Sequence, residues 1–383
     1  MKNLFFEQGP IRPPSEAQSL LIRVTRNCSW NQCQFCSIYK GNTFERRTVE
    51  EIKADIDTVR EIIDEVKALS WRNGLSGRIT ADIANYFLRQ KDIHTSTASV
   101  IAWLFYGTNA VFLQDANNLI LTADHLIQML EYLNQKIPGI NRITTYARSQ
   151  TAVRKTVDDL KRMRAAGLNR VHVGLESGAD QVLQLMRKGV TAEGHIQGGR
   201  NIIDAGMELS EYVMPGLGGK RLAEEHAVET ARVLNAIDPH FIRLRTFHMS
   251  DSLPLNEKVE SGGFEISTPG EVAEEIRLFI ENLEGITSTV ISDHIGNMLG
   301  DVEGKLPKDK QNMLDAIDRF LKLNDEDRLH YQVGRMMGLY HGVSDMNQPG
   351  LYRQVEDTLH RFKSEFSGEI NDVLIKMHDR LMR

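Results

Sequence analysis

Apolar and polar residues follow two periods along the chain, and each switch of period marks an element. Residues 19–25, SLLIRVT, read as a short apolar strand. Ile52, Ile56, Val59, Ile62, Ile63 and Val66 recur in helical steps and predict a helix over 49–68. Residues 70–108 hold further helical stretches, broken near 73–77 and 94–96. From residue 110 strand and helix alternate. AVFLQ (110–114) precedes a helix over 122–135, which Pro138 and Gly139 stop. RITTYA (142–147) precedes a helix over 157–166, and RVHVGLES (170–177) precedes helices over 180–187 and 192–205. MELSEYVMPG (207–216) precedes 223–237, and HFIRLRT (240–246) precedes 270–283.

Six strand–helix units in order imply a parallel sheet with crossover helices. The α/β class follows from the pattern; an open doubly wound sheet and a partial barrel both remain compatible with it. Near residue 300 the strand signal stops. Residues 308–337 read as helical, and Val355, Leu359, Phe362, Phe366, Ile370, Val373, Met377 and Leu381 form one apolar stripe, as in a helical cap. Pro10, Pro13 and Pro14 make residues 8–16 extended. The expected organisation is a lead-in at 1–18, a core at 19–299 and a helical extension at 300–383.

Composition narrows the function classes. Of 383 residues, 41% are hydrophobic, enough for a core. Lys plus Arg is 46 and Asp plus Glu is 52, so a net charge of −6 gives no global attraction to nucleic acid. The apolar run at residues 4–6 is too short for a signal-peptide core, and no run of eighteen apolar residues spans a membrane. A soluble protein of the reducing cytoplasm is expected. Three cysteines, an odd count, argue against a disulfide framework.

All three fall in RNCSWNQCQFCSIYKG, as Cys-x4-Cys-x2-Cys at Cys28, Cys33 and Cys36. Three thiolates on a loop after a strand can hold three corners of a [4Fe–4S] cluster. With no fourth cysteine, one iron is left open to bind and activate a small molecule. Two other readings stand beside this one. An iron–sulfur electron-transfer or sensor protein of ferredoxin type wants four cysteines. A zinc-stabilised module wants four ligands, and the nearest downstream histidine is His94.

The loop resembles that of the radical S-adenosylmethionine (SAM) superfamily, whose usual spacing is Cys-x3-Cys-x2-Cys with an aromatic before the last cysteine. Phe35 holds that aromatic position, and the extra residue after Cys28 departs from the commonest pattern. The resemblance implies a partial (β/α)6 barrel, with the cluster and SAM at the C-terminal ends of the strands. HVGLESGADQVLQLMRKGVTAEGH resembles a fourth-strand motif of the branch that contains anaerobic magnesium-protoporphyrin monomethyl-ester cyclases and oxygen-independent coproporphyrinogen oxidases. Alternation puts His172, Gly174 and Glu176 on one face. By resemblance Glu176 contacts SAM and Arg187 holds a carboxylate of SAM or substrate, against the plain readings of a loop Glu and a surface Arg. Many members end their second strand in Gly-Gly-Glu, where this chain has FLQDANN. Asp115 there offers a carboxylate to the SAM ammonium, with Gln114 and Asn117 as helpers, although Asp-Ala-Asn-Asn is also good turn chemistry. Arg148 and Ser149 are placed to meet the carboxylate or ribose. VMPGLGG (213–219), with Met214, resembles the segment that shelters adenine.

On the substrate side, Arg243 and Arg245 share a face of the sixth strand and suggest an anionic group, or else a salt-bridged core pair. His248 and, in SDHIGN, Asp293, His294 and Asn297 are further candidates. SDHIGNMLG does not match the cobalamin signature, and three cysteines leave no ligands for a second cysteine-bound cluster. The implied reaction is reductive cleavage of SAM to a 5′-deoxyadenosyl radical that abstracts hydrogen from a small-molecule substrate. The implied redox partner is a flavodoxin- or ferredoxin-type electron donor.

Overall fold

Strands rich in Val, Ile and Leu with both faces buried are what crossover helices on a parallel sheet require. The chain meets that demand: all five residues of the strand Ala110–Gln114 are buried. The computed structural model describes residues 4–365, which form two compact units.

The first unit takes Met1–Asn31, Ile38–Val173 and Gly198–Leu209. Its strands are β1 (Leu20–Arg23), β2 (Thr25–Arg26), β3 (Glu45–Arg46), β4 (Ala110–Gln114), β5 (Arg142–Ala147) and most of β6 (Leu168–Glu176). β1 pairs parallel with β4, β4 with β5 and β5 with β6, in the register Ile22↔Leu113 and Thr145↔Val171. The helix Val49–Arg72 buries Ile52, Ile56, Val59, Ile62, Ile63 and Val66, the stripe expected from the sequence. Each such side chain removed from water contributes about 1.5–3 kcal/mol. A capping box of Thr48 and Glu51 sets the helix start.

The second unit takes Gln32–Ser37, Gly174–Gln197 and Ser210–Arg383. It holds the end of β6, most of β7 (Glu208–Val213), β8 (Phe241–Leu244), β9 (Thr289–Ile291) and β10 (Gly304–Lys305). β7 pairs parallel with β8 and β8 with β9, whereas β10 runs antiparallel to β9. β9 and β10 add to the six strands expected; at three and two residues they are too short to show a period.

The predicted helical stretch at 308–337 is two helices, Lys310–Leu321 and Asp325–Met336, and a further helix runs Pro349–Glu365. All three belong to the second unit, with β8 and β9. Val355 of the C-terminal stripe is buried. Phe366, Ile370, Val373, Met377 and Leu381 lie outside the described residues, as does the side chain of Phe362.

Candidate active site

The site residues expected from the sequence divide between the two units. Cys28, Asp115, Arg148 and Ser149 fall in the first. Cys33, Phe35, Cys36, Glu176, Arg187, Met214, Arg245, His248 and His294 fall in the second.

In the first unit β1 runs into the cysteine loop, and the ladder of β2 on β3 closes the base of that loop. Asn27 and Asn31 adopt left-handed backbone (φ 68° and 50°), which asparagine tolerates better than most residues. The Asn31 N–H donates to Cys28 Sγ at 3.4 Å.

Residues 114–118, at the end of β4, hold this loop. Asp115 is fully buried and accepts from Arg23 Nε (3.0 Å) and Nη2 (2.7 Å), from the Asn27 N–H (3.1 Å) and from the Tyr39 hydroxyl. Burial and the Asp115 charge push the Tyr39 hydroxyl well up, so it stays a donor. Asn117 Nδ2 donates to Ser29 Oγ (2.9 Å), and Asn118 Oδ1 accepts from Thr25 Oγ1 (2.7 Å). Gln114 Nε2 donates to the Gly9 (2.9 Å) and Ile11 (2.8 Å) carbonyls of the lead-in.

Asp115, expected as a carboxylate for the SAM ammonium, thus already accepts from a guanidinium, a hydroxyl and an amide N–H, the bonding that a brace of the loop would have. Arg148 lies with its guanidinium 4.8 Å from the Trp30 ring centroid, and its N–H donates to Asn117 Oδ1 at 3.1 Å. Ser149 is buried at the start of the short helix Ser149–Val153, an element the sequence pattern does not signal.

In the second unit Gln34 anchors the other two cysteines. Its N–H donates to the Met186 carbonyl (3.0 Å), and its carbonyl accepts from the Leu255 N–H (3.1 Å). Phe35 packs against a buried cluster containing Val182, Met186, Leu217, Leu253 and Leu255, with Met214 also against it. Lys188 is buried, its ammonium paired with the Glu176 carboxylate and 5.8 Å from the Phe35 ring centroid. Arg187, the cation expected from the sequence, is exposed in left-handed backbone at φ 51°. Its neighbour Lys188 is the one turned inward.

Glu176 ends β6 at φ 58°, a conformation costing about 1–2 kcal/mol. Its carboxylate folds back over Gly174, where a Cβ would meet Glu176 Oε1 at 2.0 Å, so only glycine fits there undisturbed. The Glu176 carbonyl accepts from the Met214 N–H at 3.0 Å, which ties the strand end to the turn at 214–216.

A buried set of side chains that the sequence did not flag holds that turn. His226 Nε2 donates to the Met214 carbonyl (3.1 Å), and Nδ1 accepts from Ser177 Oγ (2.8 Å). Glu275 Oε1 accepts from the Gly216 N–H at 2.7 Å. Burial pushes the Glu275 carboxyl up to about 8 and the His226 imidazole down to about 4, so both are neutral near pH 7.

The raised acid carries a pH signature. Folded Glu275 keeps a proton that the unfolded chain, with the ordinary value of 4.5, releases. Its contribution to stability is therefore full below about 4.5 and is lost as pH rises through about 8. Glu275→Gln is expected to flatten the fall in stability between pH 6 and 9, read by urea unfolding; an unchanged slope would mean the carboxyl is already ionised.

Arg243 is not available to a ligand: Nη1 pairs with Asp293 at 2.6 Å and Nε donates to Ser210 Oγ at 3.2 Å. The salt-bridged core reading holds for it. Arg245 lies half-buried just past β8, its N–H on the Val213 carbonyl at 2.9 Å. His248 Nε2 meets the Gly296 carbonyl (2.5 Å), and His294 Nδ1 accepts from the Gly296 N–H (3.0 Å). Both histidines thus meet at one turn, which Asn297 ties to the Leu244 carbonyl (2.8 Å).

Three half-buried cysteines within nine residues of sequence, none in a disulfide, are residues of a type suited to iron–sulfur ligation. Among the described residues no three His, Cys, Asp or Glu side chains are grouped to hold a single metal ion. No described helix is long and apolar enough to cross a membrane.

Comparison with known proteins gives a family. The Radical SAM superfamily profile matches residues 22–231, more than half of the chain. No curated protein matches. Among solved structures, methylornithine synthase is 16% identical over 72% of this chain and 66% of its own, at a TM-score of 0.43. Coproporphyrinogen III oxidase from Escherichia coli, titled a radical SAM enzyme, is 14% identical over 69% of this chain and 52% of its own, at 0.44. A cobalamin-dependent SAM radical enzyme solved with aqua-cobalamin and SAM is 12% identical over 96% of this chain and 59% of its own, at 0.45. The chain spans between half and two thirds of the length of these proteins.

Proposed function

The chain belongs to the radical SAM superfamily, an α/β family of partial barrels that bind a [4Fe–4S] cluster and SAM, and on that premise we propose that Cys28, Cys33 and Cys36 hold the cluster. The observation that carries this reading is the loop itself: three cysteines outside any disulfide, with Asp115, Asn117 and Asn118 bonded to its entry. When bound and reduced, the cluster supplies the electron that cleaves SAM to methionine and a 5′-deoxyadenosyl radical, which takes hydrogen from the substrate.

The residues of the chain bind and orient. The turn at 214–216, pinned by His226 and Glu275, offers backbone and the Met214 side chain to the adenine. Glu176, oriented by Lys188, meets a polar group of SAM, and Arg148 and Ser149 meet its carboxylate or ribose. Phe35 keeps water from the cluster side of the loop. Arg187 is offered, from an exposed position, to a carboxylate of SAM or substrate. Arg245 is the cation offered to an anionic group of the substrate; His248 and His294 shape the turn at 294–297 beside it. The electron comes from a flavodoxin- or ferredoxin-type donor, and the substrate is a small molecule.

The test is spectroscopic. SAM added to the reduced, cluster-loaded protein is expected to change the electron paramagnetic resonance spectrum of the cluster. An unchanged spectrum at saturating SAM would favour an electron-transfer or sensor protein instead.

A further inference from the structure

The helix Asp325–Met336 lies in the stretch expected as a cap, and its last turn carries a buried guanidinium. Arg335 Nε (3.2 Å) and Nη2 (3.0 Å) both donate to the Asn297 carbonyl, and Nη1 donates to the Tyr340 carbonyl at 2.6 Å. The Tyr340 bond is local and would close the helix end by itself. The Asn297 pair instead reaches 38 residues back along the chain. Room is left for it: a Cβ at Gly300 would meet Arg335 Nη1 at 2.6 Å and Cζ at 2.7 Å.

Asn297 ends the turn at 294–297 and is itself buried. Its N–H returns to the His294 carbonyl (2.9 Å). Its Nδ2 donates to the Leu244 carbonyl (2.8 Å) and Ser292 Oγ (3.1 Å), and Oδ1 accepts from the Thr246 N–H (2.9 Å). Within the turn Gly296 meets two imidazoles. Its carbonyl can only accept, so His248 Nε2 carries a proton. Its N–H can only donate, so His294 Nδ1 is bare and the proton of the neutral ring sits on Nε2. A Cβ at 296 would lie 3.1 Å from His294 Nδ1 and 3.4 Å from His248 Nε2, so both rings are set against one residue.

We propose that Arg335 is a positioning residue: by holding the Asn297 carbonyl it keeps the turn in the conformation that fixes His248 and His294 each with its proton on Nε2. Two of its three bonds serve the turn rather than its own helix end. The Asn297 side chain ties the turn to the end of β8, whereas the backbone carbonyl, one peptide from Gly296, is held by Arg335. A guanidinium fork spans two carbonyls at once, which a lysine ammonium does not. The inference rests on the radical SAM reading above, in which this turn stands on the substrate side, and it makes the C-terminal extension a working part of that side.

The experiment uses the full-length, cluster-loaded protein under anaerobic conditions, with nitrogen-15 in its histidine rings. Long-range proton–nitrogen spectra read which ring nitrogen carries the proton, and His248→Gln and His294→Gln assign the two rings by loss of their signals. Exchange of the His248 Nε2 proton with water reads how firmly the Gly296 carbonyl holds it. Wild-type protein is expected to show both rings protonated at Nε2. Arg335→Lys should speed the exchange roughly tenfold or more and give both rings mixed tautomers. Should that variant fail to fold, Gly300→Ala, whose methyl group displaces the guanidinium, takes its place with the same expected change. Phe320→Leu, at a fully buried position of the helix Lys310–Leu321, controls for loss of packing alone and should leave the rings as in wild type.

A proton on His294 Nδ1 in the neutral wild-type ring overturns the proposal whatever the variants do. Unchanged rings in folded Arg335→Lys, or equal changes in Phe320→Leu, overturn it as well. Formation of 5′-deoxyadenosine by the same preparations separates the two readings. Wild-type protein that cleaves SAM with mixed tautomers refutes this inference alone. Rings fixed as expected in protein that does not cleave SAM uphold the positioning and refute the superfamily reaction here.

Discussion

Replacing Cys33 by Ala is expected to abolish iron retention and to bring 5′-deoxyadenosine formation to the level of iron-free protein. On the proposed reading the protein ligands are three thiolates, from the three cysteines of the chain. A site already one ligand short has no substitute to recruit: among the described residues no further His, Cys, Asp or Glu stands grouped with them as for a metal. The variant should still fold. The segment around Cys33 is fixed by the Gln34 backbone bonds to Met186 and Leu255. Iron analysis and urea unfolding of the apoprotein separate the two effects. Full iron content in Cys33→Ala, or an apoprotein that no longer folds, would each contradict the ligand assignment as argued.

Asp115→Ala is expected to be the most destabilising single change at this site. It strips a fully buried carboxylate from Arg23, whose side chain is 13% exposed, and it orphans the Tyr39 hydroxyl and the Asn27 N–H. Breaking one partner of a buried pair costs about 3–5 kcal/mol. Arg23 keeps Glu7 at 2.9 Å, which places the expected loss near the lower end, about 3 kcal/mol. Because Asn27 adjoins Cys28, cluster retention should fall as well, with or without SAM. A variant of unchanged stability that loses only SAM affinity would restore the ammonium-receptor role and remove the brace.

Asp115 also shows where sequence reasoning ran short. The α/β alternation was legible because strand and helix periods differ and each predicted segment is long enough to display one. The cysteine loop was legible because three thiols within nine residues rarely arise by packing alone. For Asp115 the bonds it makes could not be read from the sequence. Whether a carboxylate is open or saturated depends on Arg23 and Tyr39, which are distant in sequence. The same reason separates Arg187 from Lys188. Neighbouring cations on a helix end look alike in sequence, and one left-handed residue at φ 51° decides which is buried.

Other parts carried no local signal. His226 and Glu275 each follow another charged residue on a helix, Glu225 and Glu274, and nothing in the sequence singles them out. Only burial and a bond to the backbone of a turn mark them. For Arg243 the sequence left two readings open, and Asp293, 2.6 Å away, selects the salt-bridged one. The case for an anionic substrate then rests on Arg245 alone.

The central claim is that this chain cleaves SAM at a three-cysteine cluster. The most direct measurement is product analysis of anaerobically reconstituted protein, with cluster content quantified, after addition of dithionite and SAM. The account predicts release of 5′-deoxyadenosine together with methionine, dependent on both the reductant and the loaded cluster. Absence of 5′-deoxyadenosine from protein with a full cluster, reduced and saturated with SAM, would contradict it.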